Sequence, residues 1–528
     1  MTKILITDTI HNVGVEILRR EGFEVVLKPM IEKSDLLKII GEFPAVITRS
    51  QTGVDKDVID AGVNLKVIGR AAIGVDNIDL DYATKKGILI VNVPSDNVIS
   101  AAEHTFALLL AGARNLPAAA SLLKSGKWSR KEFEGVELFD KSIGIVGLGK
   151  VGSHVAKIAA GFGMKILAYD PYIASDKFER FGALRVGTLI DLIRKVDILT
   201  VHTPKTSETV GMLDYLNLKE LKRGAIVINC ARGGIMEEEG LLRLVDEGHI
   251  RVAGVDVFAT EPAPAHPMHS HKGFVCTPHL GASTEEAQYR VAKTMALQMI
   301  KALKGEIVDH PVNMPFVEQS LFPAARSYCV LAEKMGRVAQ QLTDFNPSFG
   351  RMQIVGTELH DQKELLVAAF FKGYFEGHSD QRVNYINSVK IAKDMGLELQ
   401  VTVENTHDTY THLLKVEIYG DGSPFRVAGT IFGREKPRIV ELNGYPLDWE
   451  PEGFALVVRN RDKPGVIGRL GTTLGEFAIN IARWELGRRE IGGEALAVIS
   501  TDQLVDSTCL SLLRQSQDIL SVTSIRLG

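Results

Sequence analysis

The stretch Ser142-Ile143-Gly144-Ile145-Val146-Gly147-Leu148-Gly149-Lys150-Val151-Gly152 runs from a β-branched segment straight into a G-x-G-x-x-G spacing. Alone, that spacing is no more than a glycine-rich turn. Here a helix-like run, His154-Val155-Ala156-Lys157-Ile158-Ala159, follows it, and a second strand-like run, Lys165-Ile166-Leu167-Ala168-Tyr169, comes next. In a strand–turn–helix of this kind Gly147 permits the tight turn and Gly149 lets backbone approach a pyrophosphate. Gly152 lets helix and strand pack, and the helix N-terminus faces the anion. Asp170 closes the next strand, 18 residues after Gly152. A carboxylate there accepts hydrogen bonds from ribose hydroxyls and repels a 2′-phosphate, so NAD is favoured over NADP. The plainer alternative is that Asp170 only caps the loop at Pro171.

Working outward, strand-like runs recur at 196–201, 225–229 and 252–257, with helices between, which makes a doubly wound sheet. Upstream, 3–7, 23–27, 45–48, 67–69 and 88–91 form a separate α/β series. Ala102, Phe106, Leu109, Leu110 and Ala113 recur at helical spacing, so a helix links the two. Downstream, prolines in His310-Pro311-Val312-Asn313-Met314-Pro315 mark a linker. Residues 318–449 mix helix and strand signals, and 454–484 open as β-α-β around the turn Asp462-Lys463-Pro464-Gly465.

A chain of 528 residues exceeds one hydrophobic core, so three or four domains are expected. A net charge of -4 argues against nucleic-acid binding, which needs concentrated positive surface. An anionic substrate therefore has to be held by local arginines. Cys230, Cys276, Cys329 and Cys509 form no close pair, so neither disulfides nor a metal site is expected. The amino terminus reads as a strand without a secretory apolar core, and no stretch approaches the ~20 apolar residues of a membrane span. A cytoplasmic chain is expected.

Three further segments place polar groups at the carboxyl ends of strands, where ligands bind in open α/β sheets. They are Cys230-Ala231-Arg232-Gly233-Gly234, Phe258-Ala259-Thr260-Glu261-Pro262 and Thr277-Pro278-His279-Leu280-Gly281-Ala282-Ser283-Thr284. Oxidising a 2-hydroxy acid needs a holder for the carboxylate and a base for the hydroxyl proton. The fork of Arg232 suits the first task and the imidazole of His279 the second. Glu261 is placed to orient that ring and support its cationic form. Singly, these are a surface arginine, a core histidine and a capping glutamate; on consecutive strand ends they form a constellation. The other histidines carry no such pattern: His202 falls at the sheet edge, His104 packs in the linking helix, and His266, His269 and His271 are loop residues.

These segments, with Gly69-Arg70 and Gly74-Val75-Asp76-Asn77-Ile78-Asp79, resemble the D-isomer-specific 2-hydroxyacid dehydrogenases over about the first 315 residues. The rest resembles the long-form phosphoglycerate dehydrogenase branch: Val383-Asn384-Tyr385-Ile386-Asn387 matches its intervening domain, and 460–468 with Asn480-Ile481 its ACT domain. The resemblance implies a Rossmann-type nucleotide domain (99–281) inserted in a flavodoxin-like substrate domain (1–98 and 282–316). An α+β intervening domain (317–452) and a ferredoxin-like ACT domain (453–528) follow.

It implies catalysis by Arg232, Glu261 and His279, and NAD contacts at Gly147, Gly149, Lys150, Val151, Gly152, Asp170, Thr203, Cys230, Asp256 and Gly281. The implied substrate is 3-phosphoglycerate, its carboxylate near Gly74, Val75 and Arg232, beside the loop ending at Asn97. Its phosphate falls to Arg49 and Arg70, with Arg130 supplied by a neighbouring subunit. Asp462 and Asn480 match positions that bind an L-serine effector, and a homo-oligomer, dimer or tetramer, is implied. Ala72, Ile73, Asp96, Asn460 and Arg461 depart from the usual pattern. Two other readings stay open: a dehydrogenase for glyoxylate, hydroxypyruvate or 2-hydroxyglutarate, and an NAD-binding regulatory protein without turnover.

Overall fold

The computed structural model describes residues 2–306, 308–314, 322–378, 383–433 and 435–527. Pro315 and the boundary expected at 316–317 lie outside them. Short runs of buried β-branched residues, such as Ala45–Thr48 and Val67–Arg70, need cover on both faces, and the structure gives it. Lys3–Ile6, Glu24–Leu27, Ala45–Thr48, Val67–Arg70 and Leu89–Asn92 make a parallel five-stranded sheet in spatial order 2-1-3-4-5. That is the flavodoxin-like order.

Helix Val98–Ala113 carries the chain to a parallel seven-stranded sheet. In chain order its strands are Ser142–Val146, Lys165–Tyr169, Leu184–Arg185, Ile198–Val201, Ala225–Asn229, Ile250–Val255 and Phe274–Cys276. In space they run 3-2-1-4-5-6-7, a Rossmann order extended by one strand. Leu184–Arg185 was not expected from the sequence: it is two exposed residues at the flank, too short for a period to register. Helix Glu285–Lys304, capped by Thr284, returns to the first sheet. There Gly14 of helix Asn12–Arg20 is packed so closely that a Cβ would stand 2.8 Å from the Ala292 carbonyl.

The expected linker at 310–315 is a correction. Pro311 bridges antiparallel to Val91, and the Val312 N–H donates to the Ile90 carbonyl at 2.8 Å. Asn313 Oδ1 accepts from the Ile90 N–H at 2.9 Å. Proline is tolerated on a sheet's outer edge because its missing N–H faces away, so this stretch pairs where a breaker was read.

Beyond it, helices Phe322–Leu342 and Lys363–Phe375 pack on a mixed six-stranded sheet. Asn384, from the motif at 383–387, donates through Nδ2 to the Gly87 carbonyl of the first domain at 2.7 Å. The last unit is βαββαβ: Phe454–Arg461, Val466–Glu476, Ile481–Arg488, Glu494–Thr501, Ser507–Arg514 and Ile519–Arg526. Its sheet is antiparallel in the ferredoxin-like order 4-1-3-2. Ala455, Val457, Leu496, Val498 and Ile525 join the core of the preceding unit. Among the described residues no single helix is long and apolar enough to cross a membrane.

Candidate active site

The glycine loop has the steric demands its spacing predicts. Gly147 has φ 90°, and a Cβ there would meet the His202 carbonyl oxygen at 2.7 Å. At Gly152 a Cβ would lie 2.1 Å from the Gly147 carbonyl oxygen, so no other residue fits. Gly149 caps helix Lys150–Gly161 without a side-chain cap, and nothing stands within 4 Å of where its Cβ would be. First-turn amides therefore open onto free space at the switch between strands Ser142–Val146 and Ile198–Val201.

The buried Thr203 hydroxyl beside this loop has no partner among the described residues. Asp170 accepts from the Leu148 N–H at 2.9 Å and the Tyr172 N–H at 3.0 Å, which locks loop and strand end together. Its carboxylate keeps lone pairs for a further donor. Val151 is half-buried and Lys150 donates to Ser95 Oγ at 2.6 Å, tying the loop to the first domain. A dinucleotide fits this groove.

Three and four strand ends away, Glu261 and His279 come together although they leave different strands. His279 Nδ1 stands 2.7 Å from Glu261 Oε2, and Glu261 Oε1 accepts the Phe258 N–H at 3.0 Å. With Nδ1–H engaged by a carboxylate, Nε2 is the basic nitrogen left for a ligand. Burial disfavours the Glu261 charge, but the bonds from His279 and Phe258 outweigh it and hold its pKa below the usual glutamate range.

Asp256 organises the turn that carries His279. It is fully buried; Oδ1 accepts from Thr277 Oγ1 at 2.5 Å and the Leu280 N–H at 2.7 Å, and Oδ2 from the Gly281 N–H at 2.9 Å. Burial would raise its pKa, yet His104, Thr277 and the Leu280 amide pull it below the ordinary value. Cys230 lies nearby, and its thiol is pushed up by burial and by Asp256, so it is an inert wall. Desolvation pushes His202 down to about 3, which keeps it neutral.

Arg232 reaches across to the first domain. Its Nε lies 3.2 Å from Asp76 Oδ2, and its guanidinium lies against Gly74, where a Cβ would stand 2.3 Å from Nη2. Val75 is half-buried in the same loop. Arg70 is 7% exposed, and its Nε and Nη1 have no partner among the described residues. Burial lowers its pKa to about 10, Asp8 counters that, and Arg49 and Arg232 add to the lowering. Asp76 opposes that lowering as Asp8 does. Asp8 fixes the Arg49 loop by accepting the Arg49 and Gln51 N–H groups at 2.9 and 3.1 Å.

Asn97, 9% exposed, precedes helix Val98–Ala113, and its Oδ1 is unpartnered among the described residues. Arg130 is exposed on the stretch after helix Leu116–Lys124 and makes no side-chain bond among the described residues.

The candidate effector residues are not brought together. Asp462 Oδ2 takes Arg488 Nη1 at 3.2 Å and the Gly492 N–H at 3.3 Å, while Asn480 donates to Asp502 at 2.8 Å. Asp462 follows Arg461, which pairs with Glu494, and Asn480 precedes Ile481, which pairs with Thr501. They therefore stand at opposite ends of strand Glu494–Thr501, about 23 Å apart along it. From sequence, Asp8, Asp76 and Thr277 carry no role and His104 reads as packing, yet these hold the site residues in place; Asp76, within 74–79, and Thr277, within 277–284, sat in segments already singled out.

Residues 106–281 match the family model for the NAD-binding domain of D-isomer-specific 2-hydroxyacid dehydrogenases. Residues 324–443 match the D-3-phosphoglycerate dehydrogenase intervening domain, and 454–516 the ACT domain. The chain is 38% identical to a D-3-phosphoglycerate dehydrogenase of Methanocaldococcus jannaschii and 36% to that of Bacillus subtilis, each alignment covering 100% of both chains. Among solved structures, a Thermus thermophilus protein is similar at 31% identity and TM-score 0.55, covering 59% of this chain and 100% of that one. A D-lactate dehydrogenase of Aquifex aeolicus complexed with NAD and lactic acid is similar at 25% and 0.52, covering 58% and 96%. With a glycine loop, an Arg–Glu–His constellation and full-length kinship in hand, the chain belongs to the D-3-phosphoglycerate dehydrogenase family.

Proposed function

We propose that the protein oxidises 3-phospho-D-glycerate to 3-phosphohydroxypyruvate with NAD, the first step of L-serine biosynthesis. The observation that carries this reading is the His279–Glu261 pair, 2.7 Å apart, on the same sheet edge as the glycine loop. Arg232, from a neighbouring strand end, and Arg70 and Arg49, from the first sheet, supply the positive charge for an anionic acid. The carboxylate of the substrate takes the fork of Arg232 and the backbone at Gly74 and Val75, displacing Asp76 from the guanidinium. Its phosphate takes Arg49 and the unpaired nitrogens of Arg70, with Arg130 of a second copy closing over it. Asn97 lines the same side.

Nε2 of His279 accepts the C2 hydroxyl proton as the carbonyl forms, and Glu261 stabilises the resulting imidazolium. Arg232 polarises the developing carbonyl oxygen. NAD, held by the glycine loop with Lys150, Val151, Asp170, Thr203, Cys230, Asp256 and Gly281, supplies the acceptor for the hydrogen and electron pair that leave C2. The substrate domain is assigned to 1–98 and 282–316, the NAD domain to 99–281, the intervening domain to 317–452 and the ACT domain to 453–528.

The ACT domain is the regulatory unit, with L-serine as its ligand. A serine site using both Asp462 and Asn480 needs two chains, since one chain holds them apart, and this supports a homo-oligomer. A biosynthetic enzyme of this class works in the cytoplasm.

The test is NADH formation with 3-phosphoglycerate against a panel of unphosphorylated 2-hydroxy acids. Activity confined to the phosphorylated acid is expected; activity only on the others would demote Arg49 and Arg70 to structural residues.

A further inference from the structure

Helix Val98–Ala113 joins the two α/β sheets, and one face of it lies on the segment 277–284 that carries His279. Ser100 Oγ is 2.8 Å from Thr284 Oγ1, the hydroxyl that caps the returning helix. A Cβ on Gly281 would stand 3.9 Å from Ala101 Cα, so these backbones touch. One turn beyond Ser100, and on the same face, His104 places Nε2 3.0 Å from Thr277 Oγ1 and 3.3 Å from Asp256 Oδ1.

Those two residues define the geometry of the catalytic turn. His279 has φ 57°, a left-handed conformation that a residue other than glycine keeps only where its surroundings over-determine it. The determination comes from Asp256. Its carbonyl accepts the His279 N–H at 2.8 Å, and its carboxylate accepts the next two N–H groups, of Leu280 and Gly281, at 2.7 and 2.9 Å. A fully buried carboxylate holds such a position only while its other lone pairs are also satisfied. Thr277 and His104 satisfy them. His104, Cys230 and Asp256 do offer ligand atoms within 4.8 Å of one another, but the amides and Thr277 already occupy the Asp256 oxygens, so the group is a tie and not a cation site.

We propose that His104 is a positioning residue for the dehydrogenation: through Thr277 and Asp256 it fixes the turn that carries His279 and fastens it to the helix between the two sheets. The inference rests on the reading of His279 as the base. It concerns any 2-hydroxy acid the chain oxidises.

The experiment compares His104→Leu, His104→Gln and Thr277→Val with the unaltered chain. His104→Leu lowers kcat about tenfold or more, because sub-ångström misplacement of a base is costly, and leaves KM for the acid within about twofold. His104→Gln, whose side-chain amide nitrogen reaches the same oxygens, returns kcat to within about threefold of the unaltered value. Thr277→Val resembles His104→Leu, and the two together cost little more than either alone.

Amide hydrogen exchange at His279, Leu280 and Gly281 reads the tie without turnover, and it speeds up at least about tenfold in His104→Leu. Unchanged exchange there overturns the proposal even if the chain oxidises no 2-hydroxy acid, an outcome that would separately sink the functional reading. Equal impairment of the Leu and Gln variants, or an unimpaired His104→Leu, also overturns it. Should His104→Leu fail to fold, an unimpaired Thr277→Val with normal exchange is the overturning result.

Discussion

The cleft and the ACT unit treat scattered polar residues in opposite ways. In the cleft, Glu261 and His279 leave different strand ends and still meet, Nδ1 to Oε2 at 2.7 Å. In the ACT unit, Asp462 and Asn480 are only 18 residues apart in sequence yet stand at opposite ends of one strand. The cause is strand direction. A parallel sheet sends every carboxyl end to one edge, so residues just past successive strands are gathered there automatically. In the ACT sheet, Phe454–Arg461 and Ile481–Arg488 run the same way, both antiparallel to Glu494–Thr501. The residue after the first strand and the residue before the second therefore mark opposite edges, with helix Val466–Glu476 making the return journey. One chain brings the Glu261–His279 pair together, and the same chain holds Asp462 and Asn480 apart.

The largest effect that this contrast predicts is at His279. His279→Asn leaves a side chain of similar size that takes no proton, so kcat falls about a thousandfold while NADH binding by protein fluorescence changes little. Near-normal turnover in that variant would move the base elsewhere and break the convergence that distinguishes the cleft.

Arg70→Met comes next. It keeps the buried stem and removes the charged fork, so kcat/KM for 3-phosphoglycerate drops about 10- to 100-fold, the worth of charged hydrogen bonds to a phosphate. Unphosphorylated 2-hydroxy acids lose far less. An equal loss on both would make Arg70 a structural residue.

The same contrast explains what was legible beforehand. Gly147 and Gly152 announce themselves because a Cβ is sterically impossible there, at 2.7 and 2.1 Å from carbonyl oxygens. Arg232, Glu261 and His279 could be named as candidates because each follows a β-branched run, and parallel topology sends those strand ends to one edge. His104 was not, since its place on Val98–Ala113 obeys the helical period and reads as packing. Asp8 and Asp76 sit in loops, where a carboxylate has no period to betray its partner. Pro311 misled because proline marks a break in most contexts and pairs only at an outer edge. Asp462 and Asn480 could be named as candidates, but their separation is a property of sheet direction that no local motif carries.

A smaller effect comes from Glu261→Gln, which lowers kcat about tenfold, in the range seen when an orienting partner is lost. It also has a signature in stability. The carboxyl of Glu261 is held below its ordinary pKa, so the pair stabilises the fold above the unfolded glutamate value, about 4.3. That contribution fades as pH falls through the lower folded value. The gap in melting temperature between the two chains is therefore flat from neutrality to about pH 5 and closes below pH 4. With Glu261 35% exposed, the gap corresponds to less than about 1 kcal/mol. A gap that widened on acidification would contradict the assigned direction.

The smallest effect on basal rate, and the sharpest on the contrast itself, lies in the ACT unit. Asp462→Ala and Asn480→Ala each leave kcat without serine within about twofold, because the side chains of both bond only to groups of their own unit among the described residues. Each abolishes inhibition by L-serine if both residues contact it. The informative step is to mix the two variant chains, unfold and refold them together, and measure serine inhibition again. In a hybrid dimer both lesions fall in one composite site and the other site keeps an intact Asp462 facing an intact Asn480. Random pairing makes about half of the dimers hybrid, so a substantial part of the inhibition returns. If serine instead bound within one chain, every site in the mixture would carry a lesion and nothing would return. Recovery thus requires that the distance separating these residues along strand Glu494–Thr501 be closed by a second copy of the chain.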